Sequence, residues 1–318
     1  MTREPNLAAA SSPVESDPVE SGAVEIDSIE SGAIEVERPS DGVALITVGS
    51  EPLGVLRFGV KRALQARLAE LESDPGVRCV VLTGVERAFS VGSDIRDFSQ
   101  DVGWLLENEY VEAGLNAAIE ESRLPVIAAI NGFAFGGGAV LALACDIRVA
   151  AQSARFGFPE VKVGAFASGS GTQRLPRLVG RGRALDLLLT GRTIDAATAL
   201  QIGLVEYLLP DEELLAGALD IAAQIAAHPA PVVAATKRCV NVGLRDGIEA
   251  GLAEEQRLRV ETGRGPDAVE GRNAFLEKRE PCFNPVSYTH LTLPTNRVAG
   301  GGGVGGGEGC GWGGGGGG

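Results

Sequence analysis

The sequence predicts an α/β fold, a layered core of buried strands and amphipathic helices followed by a helical C-terminal part. Two short apolar runs, "VALITV" (43–48) and "RCVVLTG" (78–84), have the length and β-branched content of buried strands. The segment between them, "VLRFGVKRALQARLAELESD" (55–74), repeats apolar residues at helical spacing. Strands and helices that alternate in this way imply a layered core rather than separate β and α regions.

The order of elements follows. Order begins near Ile34, because the residues before it are mainly Ser, Pro, Glu and Asp around the short echo "VESGAVEIDS" and "IESGAIEVE". Such a stretch buries too little apolar surface to offset the entropy of ordering it, so residues 1–33 read as an acidic disordered tail. Residues 103–122 read as a helix, "PVIAAINGFA" (125–134) as one strand and "DIRVAA" (146–151) as the next. After about residue 180 the pattern is mostly helical: "RALDLLLTG", "DAATALQIG", "DEELLAGALDIAAQIAAH" and "PVVAATKRCVNVG", then helices near 246–262 and 267–278. From Gly300 onward 15 of 19 residues are glycine, which cannot specify a packed fold. With "VSYTHLTLPTNR" before it, the 285–318 tail reads as non-native read-through. One domain over residues 34–284 remains, its C-terminal helical part starting near residue 226.

Charge narrows the partners. The formal net charge is −14, but residues 1–37 hold nine carboxylates against Arg3 alone, so the fold itself is only mildly acidic. That argues against nucleic acid and anionic membrane as partners. The five cysteines include no C-x-x-C pair, and the two histidines (His228, His290) stand in no cluster with metal-ligand spacing, so no metal is expected. No stretch approaches the roughly 20 apolar residues of a membrane span. The N-terminus resembles neither a signal nor a transit peptide, and the expected location is cytoplasmic.

The candidate site lies in "NGFAFGGGAVLALACDIRVA" (131–150). Each Gly in a helix costs roughly 1 kcal/mol relative to Ala, so Gly136, Gly137 and Gly138 at a helix mouth ask for a reason. At a strand-to-helix junction the first amides point outward with the positive end of the helix dipole, and glycine lets a ligand reach them. A phosphate or a carbonyl oxygen that becomes negative during reaction would fit. The phosphate reading is the weaker: no Lys-Ser/Thr follows, and Leu141 stands where G-x-G-x-x-G needs its last glycine. Upstream, "AFSVGSDIRDF" (88–98) offers a second glycine turn after a strand, with the Ser93 amide exposed.

Two more blocks follow, "ARFGFPEVKVGAFASGSGTQRLPRLVG" (154–180) and "TGRTIDAATALQIGLVEYLLP" (190–210). In this order and spacing the four blocks resemble the crotonase (enoyl-CoA hydratase/isomerase) superfamily, from about Ile34 to Asn284. The resemblance implies a spiral of ββα units with a C-terminal trimerisation region. It also implies trimers or paired trimers, and coenzyme A thioesters as substrates, with coenzyme A arriving as part of the substrate and no separate cofactor. Matched motif to motif, its oxyanion hole falls on the amides of Ser93 and Gly137. The loop of Gly92, Asp94, Ile95 and Arg96 then lies beside the adenine and phosphate end of the substrate, Gly136, Gly138 and Val140 are further substrate-binding positions, and Lys278 and Arg279 lie on a terminal helix that in relatives reaches a neighbouring subunit's nucleotide.

Hydratases of the family generally carry two glutamates. Here one is present as Glu160 in "FPEV", and the other position is Val140, which cannot transfer a proton. Moving a double bond from the 3- to the 2-position needs a single base, whereas adding water needs one group for water and one for the α-proton. The departure favours an isomerase with Glu160 as base, its carboxyl desolvated by Phe156 and Phe158. A hydratase, hydrolase or decarboxylase of the same family, and a non-catalytic acyl-CoA-binding homologue, stand as alternatives. Asp146, with no partner visible in the sequence, reads as structural.

Overall fold

The computed structural model describes residues 33–49 and 53–283. The tail expected over 1–33, Ala33 apart, and that over 285–318 lie outside the described residues. Strand β1 (Ile34–Ser40) turns at Gly42 (φ +74°) into antiparallel β2 (Val43–Val48). Helix α1 (Phe58–Ser73) then crosses to β3 (Cys79–Gly84), which runs parallel to β2 with Val43 opposite Cys79 and Val48 opposite Gly84.

From β3 onward a two-strand unit repeats. The pairs β3 and β4 (Ala88–Ser90), β5 (Val126–Ile130) and β6 (Phe133–Phe135), and β7 (Ile147–Ala151) and β8 (Arg155–Gly157) each give their first strand to one sheet and their second to another. Helix α2 (Val102–Glu121) follows the first pair and α3 (Gly137–Ala144) the second. The result is a six-stranded sheet ordered β1-β2-β3-β5-β7-β10 and a four-stranded sheet β4-β6-β8-β9, completed by β9 (Thr193–Asp195) and β10 (Tyr207–Leu209). This is the expected spiral of ββα units.

The corner inside each pair corrects one expectation. "PVIAAINGFA" is two strands in different sheets, not one. At Gly132 a Cβ would lie 1.9 Å from the Arg87 carbonyl oxygen, so the chain can turn between sheets only where there is no side chain. The central strands β3 and β5 are buried almost throughout, which is why they read as unbroken apolar runs.

After the β8 turn come α4 (Gly171–Val179), α5 (Arg181–Thr190) and α6 (Ala196–Ile202). Helix α7 (Leu214–Ala226) lies against β2, β3, β5 and β7 through Leu214, Ala218, Ala222 and Ala226, a stripe at i, i+4 spacing. Its expected start at Asp211 is instead a single 3₁₀ turn, Asp211–Glu213. Helices α8 (Ala230–Asp246), α9 (Ile248–Gly263) and α10 (Pro266–Glu277) form the C-terminal helical part.

Asp146 does have a partner, from a helix 91 residues on. Lys237 of α8 donates to Asp146 Oδ2 (2.8 Å) and to the carbonyls of Ile119 and Leu124, while Asp146 accepts the Val126 amide (2.7 Å). Burial pushes the Asp146 carboxyl up and the Lys237 ammonium opposes that shift. The pair fixes α8 to the ends of α2 and β5. Cys79 and Cys145 are buried thiols, pushed up to about 12 by desolvation, as suits core residues.

Candidate active site

The three glycines at the mouth of α3 each answer a separate demand. Gly136 sits at φ +53°, ψ −128°, a conformation that side chains strain to adopt. Gly138 packs on β4, where a Cβ would meet the Ser90 carbonyl oxygen at 2.2 Å. Gly137 is open towards the site, and the atom its Cβ would approach first is Glu112 Oε1, at 3.2 Å. The first amide bonded back within the turn is that of Val140, to the Gly136 carbonyl, so the amides ahead of it carry the unpaired positive end of α3.

The second loop closes on this elbow. Gly92 (φ +86°) approaches so closely that a Cβ there would lie 2.6 Å from the Gly137 nitrogen and 3.0 Å from the Phe135 carbonyl oxygen. The Gly92 carbonyl is held by the Leu56 amide (2.9 Å) and its own amide by Ser90 Oγ (3.0 Å). Neither the Ser93 nor the Gly137 amide has an acceptor among the described residues. Two unpaired donors beside a helix N-terminus are suited to an oxygen that gains negative charge.

Glu160 occupies the first turn of a 3₁₀ segment, Pro159–Val163, and reaches back to the elbow. Its Oε1 lies 3.5 Å from where a Gly136 Cβ would be, and its Oε2 is buried with no hydrogen-bond partner. Burial raises the carboxyl above the usual range, its own amide offsets part of this, and the Glu112 charge adds to it. Phe156 and Phe158, which precede the segment, are 2% and 1% exposed. Val140 is fully buried, and its Cγ2 lies 2.7 Å from a Cβ built on Gly171.

Sequence reasoning missed a buried polar cluster against this elbow. Lys61 of α1 is 1% exposed and spends its three ammonium donors on Ser93 Oγ (2.8 Å), Asn108 Oδ1 (3.2 Å) and Glu112 Oε2 (2.6 Å). The same face of α2 presents Glu109, which accepts the Gly169 amide, and Asn116, which donates to the Gly169 carbonyl. Those bonds fix the "GSGT" turn, where Gly169 has φ +61° and a Cβ would fall 2.6 Å from Glu112 Oε1. One signal was present in the sequence. Lys61 falls on the buried stripe of α1 with Leu64, Leu68 and Leu71, where a lysine needs a partner.

Beside Ser93 opens a cavity of about 310 Å³, lined in part by Arg57, Asp94, Phe98, Trp104 and Asn108. Asp94 caps its turn by accepting the Arg96 amide (3.0 Å), and the Arg96 guanidinium holds its carboxyl down to about 2. Arg96 remains largely exposed, and Arg57, a cation not singled out from the sequence, lies 3.7 Å from Asp94. Ile95 is exposed and does not line the cavity. Trp104, near the start of α2, also lines it, and the next two residues, Leu105 and Leu106, are exposed. Within one chain Lys278 is not brought to the elbow; it ends α10 in a left-handed conformation (φ +54°), and Arg279 beside it is bound to Glu270 and Glu277.

The fold of paired strands and the amide-lined elbow define an enzyme of the crotonase superfamily. A family model described as enoyl-CoA hydratase/isomerase matches residues 38–285. A Bacillus subtilis (strain 168) protein bearing an enoyl-CoA hydratase/isomerase name is 38% identical over 247 residues, covering 77% of this chain and 95% of that protein. The crystal structure of an enoyl-CoA hydratase from Bacillus anthracis superposes with a TM-score of 0.77 at 34% identity, over 80% of this chain and all of that one. DspI of Pseudomonas aeruginosa superposes with a TM-score of 0.76 at 35% identity, over 79% and 97%. The chain belongs to the enoyl-CoA hydratase/isomerase family.

Proposed function

We propose that this enzyme moves the double bond of a 3-enoyl-CoA thioester to the 2-position. The thioester oxygen accepts the Ser93 and Gly137 amides. The Glu160 carboxylate takes a proton from the α-carbon, the resulting dienolate rests on the two amides, and the same carboxyl returns the proton at the γ-carbon. The observation that carries this reading is Glu160 Oε2, buried without a partner beside the elbow, while Val140 at the other expected position is apolar and sealed. Each amide of such a hole typically lowers the barrier by roughly 3 kcal/mol. Arg57, which lines the cavity that opens on Ser93, and the exposed Arg96, paired with Asp94 of that lining, suit the phosphates of the coenzyme A moiety. No separate cofactor enters this reaction.

The exposed Leu244, Ile248, Phe275 and Leu276 of the C-terminal helices support assembly as a trimer or paired trimers. A cytoplasmic location suits the free thiols of Cys79 and Cys145. The test is to offer the full chain, and its Glu160→Gln variant, 3-enoyl-, 2-enoyl- and saturated acyl-CoA and to separate products by chromatography and mass. The expected result is 3-enoyl to 2-enoyl conversion that the variant loses. Free coenzyme A as product would assign a hydrolase instead, and binding with no turnover a non-catalytic homologue.

A further inference from the structure

We propose that Glu112, held in place by Lys61, is a second proton-transferring carboxylate of this site and lets the same enzyme add water across a 2-enoyl-CoA double bond. The inference rests on the enolate reading above and extends it to a further activity. The sequence excludes a second carboxylate only at the position of Val140; the fold brings one in from α2.

Three observations place it. Glu112 and Glu160 flank consecutive residues of the elbow, with Glu112 Oε1 3.2 Å from the missing Cβ of Gly137 and Glu160 Oε1 3.5 Å from that of Gly136. The two oxygens of Glu112 are used differently. Oε2 is bound to Lys61 Nζ (2.6 Å) and faces Ser93 Oγ (3.4 Å). Oε1 accepts no hydrogen bond from the described residues and, unlike Glu160 Oε2, is not sealed from solvent, so it can accept from a water beside the hole. Finally, a packing role does not call for Lys61. A buried ammonium carries a desolvation cost that an apolar side chain on this stripe would avoid. Next to an oxyanion hole the ammonium has a use, because a lone carboxylate there would oppose the negative charge forming on the thioester oxygen.

The two carboxyls are therefore divided by their surroundings, one paired with a cation and one in an apolar wall, an arrangement that separates base from acid. In the forward step Glu112 takes a proton from water as its oxygen bonds to the β-carbon. The π electrons move to the thioester oxygen on the Ser93 and Gly137 amides, and protonated Glu160 delivers its proton to the α-carbon as the thioester re-forms. Water is consumed and a 3-hydroxyacyl thioester results; exchange with solvent then moves the proton from Glu112 back to Glu160. Lys61 touches neither substrate nor water and is a positioning residue.

The experiment compares two rates on the full chain, hydration of a 2-enoyl-CoA and exchange of the α-hydrogen of a saturated acyl-CoA in deuterated water. Exchange uses Glu160 and the hole alone. In Glu112→Gln, an isosteric change, the ratio of hydration to exchange is expected to fall by about 100-fold, the lower range for loss of a general base. Glu112→Asp should recover part of that ratio. A ratio that stays put, whether both rates survive or both fall together, overturns the assignment, because a merely structural Glu112 would affect both alike. Intact exchange with no hydration by the unaltered enzyme overturns this inference and leaves the isomerase reading standing. Absence of exchange overturns the enolate reading and this inference with it.

Discussion

Gly92→Ala isolates the contact on which the oxyanion hole depends. An L-residue at φ +86° costs about 1–2 kcal/mol in backbone strain. The new methyl would also lie 2.6 Å from the Gly137 nitrogen, where non-bonded contacts settle near 3.5 Å or beyond, so the two loops must part by about 1 Å. The donors of such a hole act within a window of roughly 2.7–3.1 Å, and a displacement of that size removes one of them. The expected loss is 10²–10³-fold in kcat, or about 3–4 kcal/mol of barrier, measured as turnover of a 3-enoyl-CoA or as α-hydrogen exchange. Gly180→Ala is the control. It also has a positive φ (+80°) but has nothing within 4 Å of the new methyl, so it should carry the backbone strain without the clash and keep its turnover. Turnover of Gly92→Ala within about threefold of the unaltered enzyme, or an equal loss in both variants, would refute the claim that this approach positions the Gly137 amide.

Three further outcomes follow from buried charge. Lys237→Met leaves Asp146 without its cation, and the lower end of the cost for breaking a buried pair applies because Asp146 keeps some exposure: about 3 kcal/mol, or roughly 6–12 °C in thermal melting, with Lys237→Met/Asp146→Asn recovering part of it. Glu160 has a folded carboxyl raised by burial, so the folded state holds its proton to higher pH than the unfolded chain does. That contribution is complete below the unfolded value and is lost as pH rises through the folded one; the stability of Glu160→Gln relative to the parent should therefore grow with pH across that window in denaturant titrations. The acid limb of kcat/KM for isomerisation should lie above the ordinary glutamate range for the same reason.

The sequence by itself determined whatever depends on local pattern. Buried strands declare themselves as apolar runs, helices as stripes, and the elbow as glycines whose cost in a helix needs a reason. Ser93, Gly137 and Glu160 were singled out through the resemblance of their short motifs to a known family, and the fold brings the loop of Gly92 and the Glu160 side chain against the same elbow. The break in "PVIAAINGFA" was not legible, because Gly132 is forced by the Arg87 carbonyl, which reaches it only once β4 lies beside β6. Asp146 looked solitary because its cation is 91 residues away on α8. The Lys61–Glu112 pair, likewise, spans 51 residues and two helices that meet only in the folded molecule. A one-carboxylate site is what the motif at Val140 spells out; tertiary structure decided that a second carboxylate stands beside it, because side chains distant in sequence become neighbours only when the helices that carry them pack.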